Sequence, residues 1–238
     1  ICGILVLVLF KEEDYVDEEV IEKRKKFSIK QTLEVLKLPE VYLVAVLIFA
    51  VMGFYNNQTY TNPYFTGVLG MAVTFTGFVA IIRDYGAKVV GGPVGGWIAQ
   101  KLGSPTLLNS LCLLISGALF FMVPRVNGGV AFAIGIIILA AFVGCFAKST
   151  MWATMDEAGI PIHLTGTAVA MISLVGSSLP NFLFPLINGY LLDKYANDLQ
   201  TGYNYYFTII VVVCVIGAAC GFILLARKKK RCANQEKE

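Results

Sequence analysis

The amino-acid sequence predicts an all-α integral membrane protein, a bundle of six transmembrane helices. Three observations predict it. Of 238 residues, 57% are hydrophobic and 15% charged, whereas soluble domains carry about 25% charged residues. The apolar residues come in long runs. No charge occurs from Val41 to Ile82, from Leu102 to Pro124, from Val126 to Ala147 or from Leu199 to Ala226, and only His163 interrupts Ala158 to Leu192. The third observation is a one-sided distribution of Lys and Arg. Helices are expected because about 20 apolar residues span the hydrocarbon layer as a helix, and lipid offers no partner to an open backbone. A membrane barrel would show alternating segments of about ten residues, and these are absent.

The elements follow in order. Ile1 to Phe10 is apolar, too short to span, and lacks a basic flank like that of a signal peptide. It is expected to be the end of a preceding span. Residues 11–40 are expected to be a cytoplasmic connector. Its acidic-then-basic run KEEDYVDEEVIEKRKK suits i,i+4 pairing on a solvated helix. Phe27 to Leu38 alternates apolar and basic residues and fits the membrane surface, before Pro39 opens the first full span. The spans are placed at 41–62, 70–100, 106–124, 129–152, 166–192 and 203–226, with a basic cytoplasmic tail at 227–238.

On this placement the cations sort by side. Lys11, Lys23, Arg24, Lys25, Lys26, Lys30, Lys37, Lys101, Arg227, Lys228, Lys229, Lys230, Arg231 and Lys237 fall on one side, and only Arg125 and Lys194 on the other. Positive loops stay in the cytoplasm, so both termini are expected there. The six cysteines form no CxxC pair, and five lie in apolar runs, as small core residues do.

The candidate binding residues are those that a lipid environment should exclude. Arg83, Asp84 and Lys88 fall near the middle of the second span. Intramembrane charges are costly and mark functional sites. Asp84 and Lys88, four apart, are expected to pair on one face. Arg83, about 100° round the helix from Asp84, is expected to anchor an anionic or hydroxyl-bearing solute. Asp84 is then a proton or cation site. The competing reading is a buried structural ion pair.

The stretch Tyr55-Asn56-Asn57-Gln58-Thr59-Tyr60-Thr61-Asn62 lies in the outer half of the first span. Asn56, Asn57 and Gln58 lie deepest and are expected to line a polar path. Tyr60 to Asn62 fits such a path and an interfacial belt equally. Asn181 and Asn188 share a helix face around Pro185 and either line the path or hold helices together. Lys148 is expected near the basic end of its span, where its stem can snorkel, and Trp152 is expected to be an interface anchor. No nucleotide loop, serine elbow or zinc spacing appears.

The stretch Gly91-Gly92-Pro93-Val94-Gly95-Gly96-Trp97-Ile98-Ala99-Gln100-Lys101-Leu102-Gly103-Ser104 resembles the signature loop of the Major Facilitator Superfamily, G-x-x-x-D-R/K-x-G-R/K. Gly96, Lys101 and Gly103 match it, while Gln100 replaces the acid and Ser104 the final base. The stretches Glu157 to Ala168 and Pro185 to Lys194 are similar to later segments of a family half. The pattern resembles the anion/cation symporter branch of bacterial sugar-acid and related permeases.

The resemblance implies spans seven to twelve of a twelve-span fold, built as two inverted three-helix repeats, in the inner or plasma membrane. It also implies a gating loop carrying Gly92, Gly96, Lys101 and Gly103. The expected activity is symport by alternating access, coupled to H+ or Na+ and needing no other cofactor. The expected partners are a small polar or anionic solute, membrane lipid and the N-terminal half of the same transporter, with no nucleic acid. Two other classes stay open. One is a non-transporting membrane sensor on this scaffold, for which the charged connector speaks. The other is a membrane enzyme, for which Asp156, Glu157 and His163 are the best candidates.

Overall fold

The computed structural model describes residues 29–125 and 129–235, and these are helical apart from short turns. The expected end of a preceding span at 1–10, and most of the expected connector, lie outside the described residues. α1 is Ile29–Leu36, with Val35 fully buried. α2 runs Pro39–Gly67. α3 comprises Val73–Ile81, a π-helical turn Ile82–Gly86, and Ala87–Leu102. α4 is Pro105–Met122, α5 Gly129–Ala158 and α6 Ile162–Lys194, and α7 Leu199–Gln235.

Five helices, α2, α4, α5, α6 and α7, are long and apolar enough to cross a membrane. The remaining expected span is α3. At 73–102 it has the length, about 45 Å at 1.5 Å per residue, but Arg83, Asp84 and Lys88 interrupt its apolar run. The chain is therefore an all-helical membrane bundle. Residues 227–235 of the basic tail are helical and continuous with α7.

Local sequence explains the breaks. Leu38 is extended, as a residue before proline prefers, and Pro39 sits at the first helical turn, where its missing N–H costs nothing. Pro63 gives no N–H to the carbonyl of Thr59, and α2 tightens into a 3-10 turn at Gln58–Tyr60 just before it. Gly103 ends α3 at φ +65°, a conformation open to glycine without strain. Ser104 then caps α4, its Oγ accepting from the Leu107 N–H at 3.1 Å.

The core runs along α2, α4 and α7. Val44, Leu47, Ile48, Val51 and Phe54 of α2 are buried. Phe54 meets Phe120 of α4 with ring centroids 4.7 Å apart, and Phe120 meets Phe207 of α7 at 5.4 Å. α3 lies against α5, and α5 against α4. α6 is peripheral: 22% of its apolar window is buried, against 50% in α2 and in α4. Exposed apolar side chains such as Leu174 and Phe182 are what a lipid-facing helix carries.

One end of the bundle is tied by a charged clasp. Glu157 of α5 accepts from Ser104 Oγ at 2.9 Å, from the Thr106 N–H at 2.9 Å and from Lys228 Nζ at 2.6 Å. A carboxylate at the start of α4 complements that helix's dipole. Arg231 donates to the carbonyls of Glu157 and Ala158. Glu157→Gln is expected to lower stability by about 1–2 kcal/mol, read as a fall in Tm in detergent. A smaller fall is expected for Lys228→Ala, because Lys228 is 39% exposed.

Candidate functional site

The π-turn of α3 and the 3-10 turn of α2 lie side by side, and Arg83 joins them. Its residue is 1% exposed. Nη1 donates to the Gln58 carbonyl at 2.7 Å, to Thr61 Oγ1 at 2.5 Å and to Asn62 Oδ1 at 3.0 Å. Nε and Nη2 donate to the two carboxylate oxygens of Asp84 at 2.8 and 3.0 Å. All three guanidinium nitrogens are thus engaged by this chain's own acceptors. Arg83 was expected to anchor a solute; in this conformation it ties α2 to α3.

The expected Asp84–Lys88 pair is corrected. Asp84 turns to its neighbour because the guanidinium fork takes both carboxylate oxygens at once, a geometry that an ammonium cannot match. Lys88 is exposed and leans over two rings instead, 5.2 Å from the centroid of Tyr85 and 6.0 Å from that of Tyr55. Lys148 of α5 stands over the same Tyr55 ring at 3.3 Å.

α5 continues through a 3-10 turn at Met151–Ala153 to Ala158. Lys148 lies ten residues, about 15 Å, before that helix end, and is the charge that ends an otherwise uncharged run.

The amides divide into two groups. Asn56 and Asn181 hydrogen-bond to each other, linking α2 to α6 on the accessible side. Asn57 and Asn188 are buried. Asn188 Nδ2 donates to Asn57 Oδ1, Asn57 Nδ2 donates to the Gly53 carbonyl at 2.6 Å, and Tyr206 of α7 donates to the Asn57 carbonyl at 2.6 Å. This second group holds α2, α6 and α7 together, and Tyr206 is the member that sequence reasoning missed. Gln58 is buried, and its Nε2 has no hydrogen-bond partner among the described residues.

The signature stretch begins at Gly91, three residues beyond Lys88 on α3. Within it, Gly91 and Gly95 touch α5, whereas Gly92 and Gly96 have no atom within 4 Å of where a Cβ would stand. Lys101 stacks on Trp97 at 3.9 Å. A cavity of about 390 Å³ lies here, lined by Gly96, Ala99, Gln100, Gly103, Pro105, Thr150 and Ala153. Of the enzyme candidates, Asp156 and His163 are exposed, and Glu157 is engaged in the clasp.

The family model described as the Major Facilitator Superfamily matches residues 1–185. Inner membrane protein YihN of Escherichia coli K12 is 27% identical over 234 residues, covering 96% of this chain and 55% of that protein. Inner membrane protein YqcE of the same organism is 26% identical over 239 residues, covering 98% of this chain and 55% of that protein. An uncharacterised protein of Mycoplasma pneumoniae is 29% identical over 136 residues, covering 51% of this chain and 61% of that protein. The chain spans about half the length of the two Escherichia coli relatives.

Proposed function

The chain belongs to the Major Facilitator Superfamily, and from that premise we infer that it forms spans seven to twelve of a secondary active transporter. The cargo is a small polar or anionic organic solute, moved with a cation, a proton in preference to sodium, by alternating access. α3 also crosses, as the second of six spans in this half, with both ends of the half in the cytoplasm of an inner-membrane protein. Family membership favours a transporter over an enzyme.

The carrying observation is the ionised cluster Arg83–Asp84–Lys88 at the π-turn of α3, packed against the 3-10 break of α2. Interrupted helices with ionised groups mark substrate and ion sites in transporters. A second feature supports the inverted repeat. α3 and α6, each the second helix of a triplet, share one layout: a π-turn beginning at Ile82 or Ser173, then Pro93 or Pro185 further along. Corresponding breaks place a site between the repeats.

Counterflow in proteoliposomes holding the complete transporter, this half together with its N-terminal half, run over a panel of labelled organic anions and sugars, tests the reading. Exchange of at least one solute is expected, and none across the panel would overturn it. In Asp84→Asn, whose side chain is 40% exposed in the wild type, exchange is expected to survive while accumulation driven by a pH gradient is lost. Undiminished accumulation would remove Asp84 from coupling.

A further inference from the structure

We propose that Lys88, Lys148 and Tyr55 form an anion-binding site that takes the dianionic, phosphate-like head group of a small organic solute. This rests on the transporter reading above, which it deepens by naming the cargo's charge.

Charge is the first argument. The cluster holds Arg83, Lys88 and Lys148 against one carboxylate, Asp84, and that carboxylate is taken by Arg83. Among the described residues, neither lysine has a carboxylate partner within salt-bridge distance. Two positive charges are thus left uncompensated near the middle of helices that cross lipid, where an unpaired ion is costly. Both lysines reach the same ring, so their ammonium groups lie within roughly 9 Å of each other, a range at which like charges repel unless an anion intervenes.

Geometry is the second argument. Lys88 comes from α3, Lys148 from α5 and Tyr55 from α2, so three helices converge on one spot. The ring gives each cation a favourable neighbour but no negative charge.

A third observation points to an acceptor. Gln58 lies one turn beyond Tyr55 on α2, and its unpartnered Nε2 is 3.2 Å from where a Cβ on Gly144 would stand. Gly144 lies one turn before Lys148 on α5. A buried amide donor without an acceptor is rare, and this one packs on α5 one turn before Lys148.

Donor chemistry selects the anion. Arginine's planar fork suits a carboxylate or a phosphate alike, and the one fork present already holds Asp84, which leaves the two lysines to bind. Two ammoniums are compact charges that ring a multi-oxygen anion from separate sides. A single negative charge would leave one cation unmatched, whereas a dianion matches both.

The test is a thermal-shift titration of the detergent-solubilised protein with inorganic phosphate, ionic strength being held with sodium chloride. Parallel titrations use acetate and vesicles containing phosphatidic acid. Phosphate is expected to raise Tm, and acetate to do so far less. Lys88→Gln and Lys148→Gln are each expected to weaken the apparent phosphate affinity about tenfold, and the double variant to abolish the shift. Lys194→Gln, which removes a lysine stacked on Tyr190 and Tyr195 far from the cluster, should behave as wild type. A phosphate response unchanged in the double variant, equal responses to acetate and phosphate, or a response to anionic vesicles alone would each overturn the proposal.

Should a variant fail to fold, protection of the wild-type lysines decides. Phosphate is expected to slow amine modification of Lys88 and Lys148, read by mass spectrometry, and unchanged labelling would overturn the site. The readout is binding, so failed counterflow would sink the transporter reading and leave this result standing. Unaltered binding in the double variant would do the reverse.

Discussion

Arg83→Ala is expected to destabilise the protein by roughly 3 kcal/mol, not merely to empty a binding site. The guanidinium satisfies the Gln58 carbonyl, Thr61, Asn62 and both oxygens of Asp84. Alanine leaves Asn62 Oδ1 and the Asp84 carboxylate without those donors at the point where two irregular helices meet, although the Gln58 carbonyl keeps the Thr61 hydroxyl. Loss of one member of a buried ionic network costs more than the net worth of the network, because the remaining groups stay desolvated. Asp84 is 40% exposed, so water recovers part of that cost and the figure sits at the low end of the range. For a chain of this size the loss corresponds to a fall in Tm of about 6–12 °C, with a reduced yield of monodisperse protein in detergent. Arg83→Lys keeps the charge and loses the fork, and should fall between. Unchanged Tm in Arg83→Ala, together with lost uptake, would sink the structural role and return Arg83 to the solute anchor that the sequence suggests.

The same residues show how far the sequence could be read. The cluster itself was legible, since three ionised residues in an apolar run demand a function or a partner. Which partner was not legible, because i,i+4 spacing offers Lys88 to Asp84 and adjacency offers Arg83; the fork geometry decides, and it is a property of three-dimensional placement. Five of the long helices were legible as charge-free runs. Helix ends were harder to read: α5 carries on through Met151–Ala153 to Ala158. The contacts that close the bundle join residues far apart in the chain, Asn57 to Asn188 and Glu157 to Lys228. Helical periodicity reports which face a residue occupies and carries no information about what that face meets.

The glycines of the signature stretch make the second large prediction. Two small-xxx-small pairs overlap there, Gly91 with Gly95 and Gly92 with Gly96. A Cβ at Gly91 would stand 2.7 Å from Cys145 Cβ, and one at Gly95 would stand 2.9 Å from both the Cα and the carbonyl oxygen of Phe146. The Phe146 contacts are backbone, so no rotamer change relieves them. Gly95→Ala must push α3 off α5, at a cost of about 1–3 kcal/mol, with Gly95→Val worse. Gly96→Ala meets nothing and gains up to about 1 kcal/mol from helix propensity. The expected order of Tm is Gly95→Val below Gly95→Ala below wild type, with Gly96→Ala at or above wild type. The same displacement separates Lys88 on α3 from Lys148 on α5, so Gly95→Ala should weaken phosphate binding while Gly96→Ala leaves it intact. Equal losses of stability in Gly95→Ala and Gly96→Ala would show that the face turned to α5 is not the one at which glycine is required, and the close approach that sets the spacing of the two lysines would lose its basis.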